Sequence, residues 1–171
     1  TAPLAGLTAT FIFAVQMLNF PVAAGTSGHL LGGALAAVLV GPYAATLSLT
    51  VVLLMQGLLF ADGGLTAIGL NVFNMAIIGV WAGYGAFLLL QKILPSSKFS
   101  TTISAGLAGL LSVPAAAAGF VLQYSIGANA TFSVSAVLTA MISTHVLIGI
   151  GEALITGLTV SAVLASRSDL V

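Results

Sequence analysis

Two histidines, three carboxylates and a scatter of carboxamides carry nearly all the chemistry open to this chain. His29 stands in the stretch Asn19–Gly33, N-F-P-V-A-A-G-T-S-G-H-L-L-G-G. Pro21, Gly25 and Gly28 break the apolar run before it. Thr26 and Ser27 are natural helix N-caps, and the spacing predicts His29 in the first turn of the helix that follows. The positive end of a helix dipole disfavours an imidazolium, and a neutral imidazole is the form that binds a transition metal. The plainer alternative is a histidine that hydrogen-bonds a loop carbonyl and does nothing more. His145 and Glu152 lie seven residues apart, two helical turns along nearly the same face. No Lys or Arg falls within a helix to pair with Glu152. That carboxyl is therefore expected to be protonated, hydrogen-bonded, or near the inner interface against water or a partner subunit. A satisfied polar pair tying two helices together would account for both residues equally well. Asn71 and Asn74 are spaced i, i+3 and share one helix face. Asn19 precedes the histidine loop. For these, as for Gln16, Gln56 and Gln123, hydrogen bonding between helices is the simplest role. Asp62 lies in a Gly-Gly turn and needs no function there. The four methionines are scattered and read as gap-fillers.

The elements that must position these groups are membrane helices. Of 171 residues, 60% are hydrophobic and 4% charged, with a mean hydropathy of +1.25. A soluble domain carries roughly 25% charged residues. Six apolar runs are expected to be helical: Pro3–Phe20, Gly28–Val40, Tyr43–Phe60, Leu65–Leu90, Thr101–Leu122 and Ser133–Ala165. No period-two alternation is sustained, and lipid leaves only helices or closed barrels. The fold class is all-α, a polytopic bundle of six transmembrane helices in one domain over residues 1–171. The second run is short, about 20 Å of helix, so it either crosses a thinned region or dips in and returns. The last is on the order of 50 Å if unbroken, so it tilts, projects, or bends near Gly149 and Gly151. Pro114 is expected to kink the run before it.

If Lys92 and Lys98 lie in a cytoplasmic loop, counting crossings puts Arg167 on the same side and Asp62 outside. His29 is outside if the short helix crosses and inside if it is re-entrant. The start T-A-P-L-A-G-L-T has neither an initiator Met nor a charged signal start, so the chain is expected to begin inside a larger protein. Asn129-Ala130-Thr131 matches a glycosylation acceptor, a pattern common by chance.

Several function classes are excluded. There is no cysteine, hence no disulfide or thiolate site. Net charge is zero and no basic patch could bind nucleic acid. There is no G-x-x-x-x-G-K-[ST] loop, so ATP hydrolysis by that route would belong to a partner.

Three stretches together resemble one family: Asn19–Gly33, Gln56–Ala76 (Q-G-L-L-F-A-D-G-G-L-T-A-I-G-L-N-V-F-N-M-A) and His145–Thr156 (H-V-L-I-G-I-G-E-A-L-I-T). They are similar, in this order and over essentially the whole chain, to the cobalt/nickel substrate-capture subunit of energy-coupling factor transporters, the CbiM/NikM family. The resemblance implies a non-enzymatic subunit in the cytoplasmic membrane that captures Co²⁺ or Ni²⁺ from outside, with no covalent cofactor. Implied partners are a transmembrane coupling subunit, cytoplasmic ATPase subunits and a small accessory membrane subunit. It implies a metal held by nitrogens: an N-terminal Met-His supplying an amine, a backbone nitrogen and an imidazole, and the loop histidine, here His29. It selects the crossing option for the short helix and hence an outside His29. The Met-His segment and one helix, the first of seven in the family, are absent from this sequence. Asn19, Asn71 and Asn74 are then candidates for orienting the histidine, His145 is a candidate structural residue, and Glu152 is a candidate for contact with the coupling subunit. The competing reading is a self-contained channel or secondary carrier, for which inverted repeats with paired broken helices would be expected; none is visible.

Overall fold

The computed structural model describes residues 2–18, 20–23, 26–127 and 132–171, with side chains from 2–18, 29–127 and 132–171. Six helices follow one another: α1 Ala2–Gln16, α2 Gly33–Val40, α3 Pro42–Leu59, α4 Leu65–Ile93, α5 Lys98–Gly127 and α6 Val134–Ser166. Between α1 and α2 the chain makes a small antiparallel ribbon, β1 Phe20–Ala23 with β2 Thr26–Gly28, in which Phe20 faces Gly28 and Pro21 faces Ser27.

Four helices, α3 to α6, are long and apolar enough to cross a bilayer. Helix α1 is apolar but has 15 residues, and α2 has only 8, about 12 Å at the α-helical rise. Of the six crossings expected, four correspond to helices of spanning length among the described residues; α1 and α2 fall short of that length. The run that begins at Gly28 shortens because its first residues are not helical. Gly32 caps α2 at φ 74°, a left-handed conformation that glycine adopts without strain. Thr26 and Ser27 lie in β2 rather than at a helix start, and His29 precedes α2 by four residues. The expected placement of His29 in a first helical turn does not hold.

Helix α2 is the hub. Ala34, Leu35, Ala36 and Ala37 are all 1% exposed or less, as a helix apolar on every side must be. Its neighbours come close because they are small: a Cβ on Gly83 of α4 would lie 2.8 Å from Cβ of Ala34. At the α5–α6 contact, added Cβ atoms on Gly106 and Gly109 would meet Ala153 O at 3.1 Å and Glu152 Cγ at 3.2 Å. This is the small-residue packing that membrane helices use in place of hydrophobic segregation. Pro114, inside α5, has no N–H for the carbonyl four residues back, and that carbonyl, Leu110 O, lies against Gly149 of α6. Helix α6 runs unbroken through Gly149 and Gly151 over 33 residues. The outer faces carry leucines such as Leu47, Leu58, Leu122, Leu147 and Leu158, all exposed, a surface that only lipid or membrane protein can cover.

Helix α4 changes pitch along its length. It opens with a 3₁₀ turn at Leu65–Ala67, is α-helical over Ile68–Asn71, becomes a π-helix over Val72–Gly79 and ends as α-helix through Ile93. π-Helix is rare and recurs at functional sites. Here it contains Asn74.

Candidate metal site around His29

The loop that carries His29 is held from two helices that are far away in sequence. Glu152 of α6 accepts the backbone N–H of Leu31 at 2.9 Å on Oε2 and that of Gly32 at 2.7 Å on Oε1. From α1, Gln16 Nε2 donates to Leu31 O at 2.6 Å. Both side chains are buried, Gln16 at 0% and Glu152 at 2% exposure. Amides ahead of a helix start lack intrahelical partners. The carboxyl of Glu152 supplies what a side-chain cap would have supplied, and it does so at the positive end of α2. Leu30 leans on Gly151 of α6, one residue from the same carboxyl. The short stretch from Leu30 to Gly32 is therefore anchored from both helices, and His29, half-buried, stands just ahead of it.

His29 is half-buried, and its Nδ1 lies 3.1 Å from Leu30 O. A carbonyl only accepts, so Nδ1 is the donor in this contact; in the neutral imidazole that leaves the lone pair on Nε2, which has no hydrogen-bond partner among the described residues, the arrangement of a metal-binding imidazole. Two cavities meet at this ring. One, of about 400 Å³, is lined among others by His29, Asn71, Asn74, Met141 and His145. The other, of about 130 Å³, is lined by His29, Gln56, Asp62 and Asn71 among others.

The residues singled out in the sequence thus part into groups. His29, Asn71, Asn74 and His145 come to one cavity. Asn71 and Asn74 both line it, but their amides turn to different partners: Asn71 Nδ2 donates to Gly63 O at 3.0 Å and Asn74 Nδ2 to Gln123 Oε1 at 2.8 Å. Asn19 and Asn129–Thr131 lie outside the described residues. His145 and Glu152 do not form a pair. His145 Nδ1 donates to Met141 O at 2.7 Å on its own helix, whereas Glu152 reaches the loop. Glu152 is enclosed within the chain and so is not available to a partner subunit in this structure, because both its oxygens are taken by buried amides. Gln16 was legible only as one more interhelical carboxamide; its contact with Leu31 bridges fifteen residues and a ribbon, and nothing local signals it. Among the described residues, no three His, Asp or Glu side chains converge to hold a metal.

The cations gather at the other end. Lys98 Nζ donates to Leu164 O at 2.8 Å, three residues before Arg167, so the start of α5 meets the end of α6, and Lys92 lies in the last turn of α4, just before the short connection to α5. Asp62 and His29 line one cavity and so lie on the same side of the bundle, a choice that the charge count left open for His29.

The family described as the cobalt uptake substrate-specific transmembrane region matches residues 1–170. The chain is 40% identical over 166 residues to a putative fused nickel transport protein of Archaeoglobus fulgidus, covering 97% of this chain and 54% of that protein. It is 35% identical over 173 residues to a cobalt transport protein of Sorangium cellulosum, covering 98% and 75% of the two. The chain thus spans about half the length of the fused relative and three quarters of the other. A crystal structure of a truncated transition metal transporter superposes with a TM-score of 0.80 at 34% identity, covering 96% of this chain and 80% of that one. The spanning helices and these relatives make it a multi-pass protein of the cytoplasmic membrane, of a kind named for transport rather than for catalysis. Family match, relatives and superposed structure agree, and the chain belongs to the CbiM family of cobalt uptake transmembrane regions.

Proposed function

We propose that this chain forms the metal-capturing part of an importer for a divalent transition metal, Co²⁺ or Ni²⁺, and that His29 is one of the nitrogen ligands. The observation that carries the proposal is that His29, its Nδ1 engaged by Leu30 O, lines two cavities from a loop clamped by Glu152 and Gln16. One imidazole is a poor site, since selectivity among transition metals needs a defined ligand set and geometry. Further nitrogens, from a Met-His segment of the sort that the family resemblance implies, would enter the cavity opposite His29. Nitrogen donors favour Co²⁺ and Ni²⁺ over Mg²⁺ and Ca²⁺, which take oxygen. Asn71 and Asn74 line the same cavity and would orient the hydrated ion or the incoming segment; Asn19 is proposed for the same role from its place in the sequence.

The finer parts of the reading are likewise proposals. All six helices cross or partly cross the membrane, with the His29 end outside and the cation-bearing end in the cytoplasm, as the placement of Lys92, Lys98 and Arg167 favours. Transport is driven by ATP hydrolysis on cytoplasmic ATPase subunits through a transmembrane coupling subunit, with a small accessory membrane subunit; this chain offers no phosphate loop of its own. The test is uptake of radiolabelled Co²⁺ and Ni²⁺ by cells carrying the protein with those partners. Uptake should vanish when the ATPases are inactivated and when His29→Ala is introduced. Uptake that continues without ATPases would favour a self-contained carrier instead.

A further inference from the structure

The second histidine shares the cavity of the first and does none of the structural work that a membrane-buried histidine usually does. His145 lies about twelve residues into α6, roughly 18 Å from its start at the helical rise. A polar ring at such depth is costly and calls for a partner. Its one hydrogen bond among the described residues runs from Nδ1 to Met141 O, the carbonyl one turn back on its own helix. That bond ties no two helices together. With a carbonyl as its partner Nδ1 is the donor, so the neutral ring carries its lone pair on Nε2, as at His29. The cavity of about 400 Å³ that His29 lines is lined by His145 as well, with the thioethers of Met75 and Met141 nearby.

The clamp accounts for both rings lining one cavity. Glu152 holds Leu31 and Gly32 against α6, and His145 stands two turns before Glu152 on the same face. His29 precedes the clamped residues by two positions, and its ring and that of His145 line the same cavity.

We propose that His145 Nε2, together with the thioethers of Met75 and Met141 that line the same cavity, forms a second metal-binding position, taking the same class of ion, a divalent transition metal, independently of His29. This rests on the reading of His29 as a ligand. Imidazole and thioether are donors that suit borderline and soft metals, and no cysteine competes for them.

The chain has two histidines, so labelling with ¹⁵N-histidine gives two ring systems whose assignment one variant settles. His145→Asn serves, because its amide nitrogen can still donate to Met141 O while the ring Nε2 is gone. The experiment titrates Zn²⁺ into the labelled protein in micelles. Zn²⁺ binds imidazole nitrogen and is d¹⁰, so a resonance moves through coordination and not through unpaired spin. Both Nε2 resonances should shift, and that of His145 should still shift in His29→Ala. A His145 resonance that stays in place while that of His29 moves overturns the second position and leaves the proposed function standing. A His145 shift that requires His29 overturns its independence. If neither resonance moves, the second position and the ligand role of His29 fail together. The titration of the unsubstituted protein decides the last outcome without relying on any variant to fold, and a single moving resonance in it already overturns one of the two positions.

Discussion

Glu152 Oε1 accepts the backbone N–H of Gly32 at 2.7 Å across 120 residues of sequence, and the loop bearing His29 takes its course from that contact. The carboxyl also takes the N–H of Leu31. Replacing it by Ala leaves two buried amides without acceptors, each costing about 1–3 kcal/mol. Glu152→Gln keeps one acceptor and turns an NH₂ toward the other amide, so it should cost less than Ala but remain clearly destabilising, by about 1–3 kcal/mol. Thermal unfolding in detergent reads the order: native, then Gln, then Ala. A Gln variant as stable as the native protein would mean that the clamp is not what holds the loop.

Gln16 and Glu152 hold the same residue, Leu31, from opposite sides. Their substitutions should therefore couple. A double-mutant cycle of Gln16→Leu and Glu152→Gln should show an interaction of about 0.5–3 kcal/mol, the range for groups in one network. Simple additivity would show two independent anchors.

Gly32 is required twice over. Its φ of 74° costs any residue with a side chain about 1–2 kcal/mol, and a Cβ there would lie 2.8 Å from Cγ1 of Ile12. Gly32→Ala should lower both thermal stability and metal affinity, while Gly85→Ala, where a Cβ meets nothing within 4 Å, should do neither. Equal effects at the two positions would contradict the special role of the α2 cap.

Asn71 and Asn74 are expected to act on the metal through its surroundings. Replacing either with Ala should weaken Co²⁺ or Ni²⁺ binding by roughly 10–100-fold, the usual effect of an outer partner. Gln123→Leu should reproduce part of the Asn74 effect, since Gln123 Oε1 is the acceptor of the Asn74 amide. Unchanged affinity in all three variants would remove these residues from the site.

At the cation-bearing end, Arg167 and Asp169 form a bidentate pair at 2.8 and 2.7 Å. The hydrogen bond from Arg167 is the main cause that holds the Asp169 carboxyl down to about 2. A carboxyl lowered on folding contributes above its ordinary value near 3.9 and loses that contribution as pH falls through about 2. The Asp169 carbon resonance should accordingly stay unprotonated at pH 3.5 and move to ordinary carboxyl behaviour in Arg167→Gln. Both groups are exposed, so no measurable change in global stability should accompany it.

How much of this could be read in the sequence depends on distance along the chain. The apolar runs placed all six helices, because hydrophobic length is a local property; Pro42 and Asp62–Gly64 marked the ends of α3 and the start of α4 for the same reason. The i, i+3 spacing of Asn71 and Asn74 put both in one cavity even though the π-helix changes the turn between them. The start of α2 could not be read. Thr26, Ser27 and His29 offer a helix N-terminus, and what overrides it is a carboxyl 120 residues away together with a left-handed glycine. The ribbon Phe20–Ala23 with Thr26–Gly28 is too short for any alternation to show. Glu152 was visible as an unpaired membrane carboxyl, but its partners are backbone amides, and amides carry no sequence signal.

The central claim is that His29 binds the metal. Calorimetric titration of Co²⁺ and of Ni²⁺ into the purified full-length protein with its native N-terminus, beside His29→Ala, tests it most directly. The expected result is saturable binding that weakens by more than about a hundredfold in the variant, beyond the loss typical of an outer partner. Binding of equal strength in both proteins would contradict the account and take the metal away from His29.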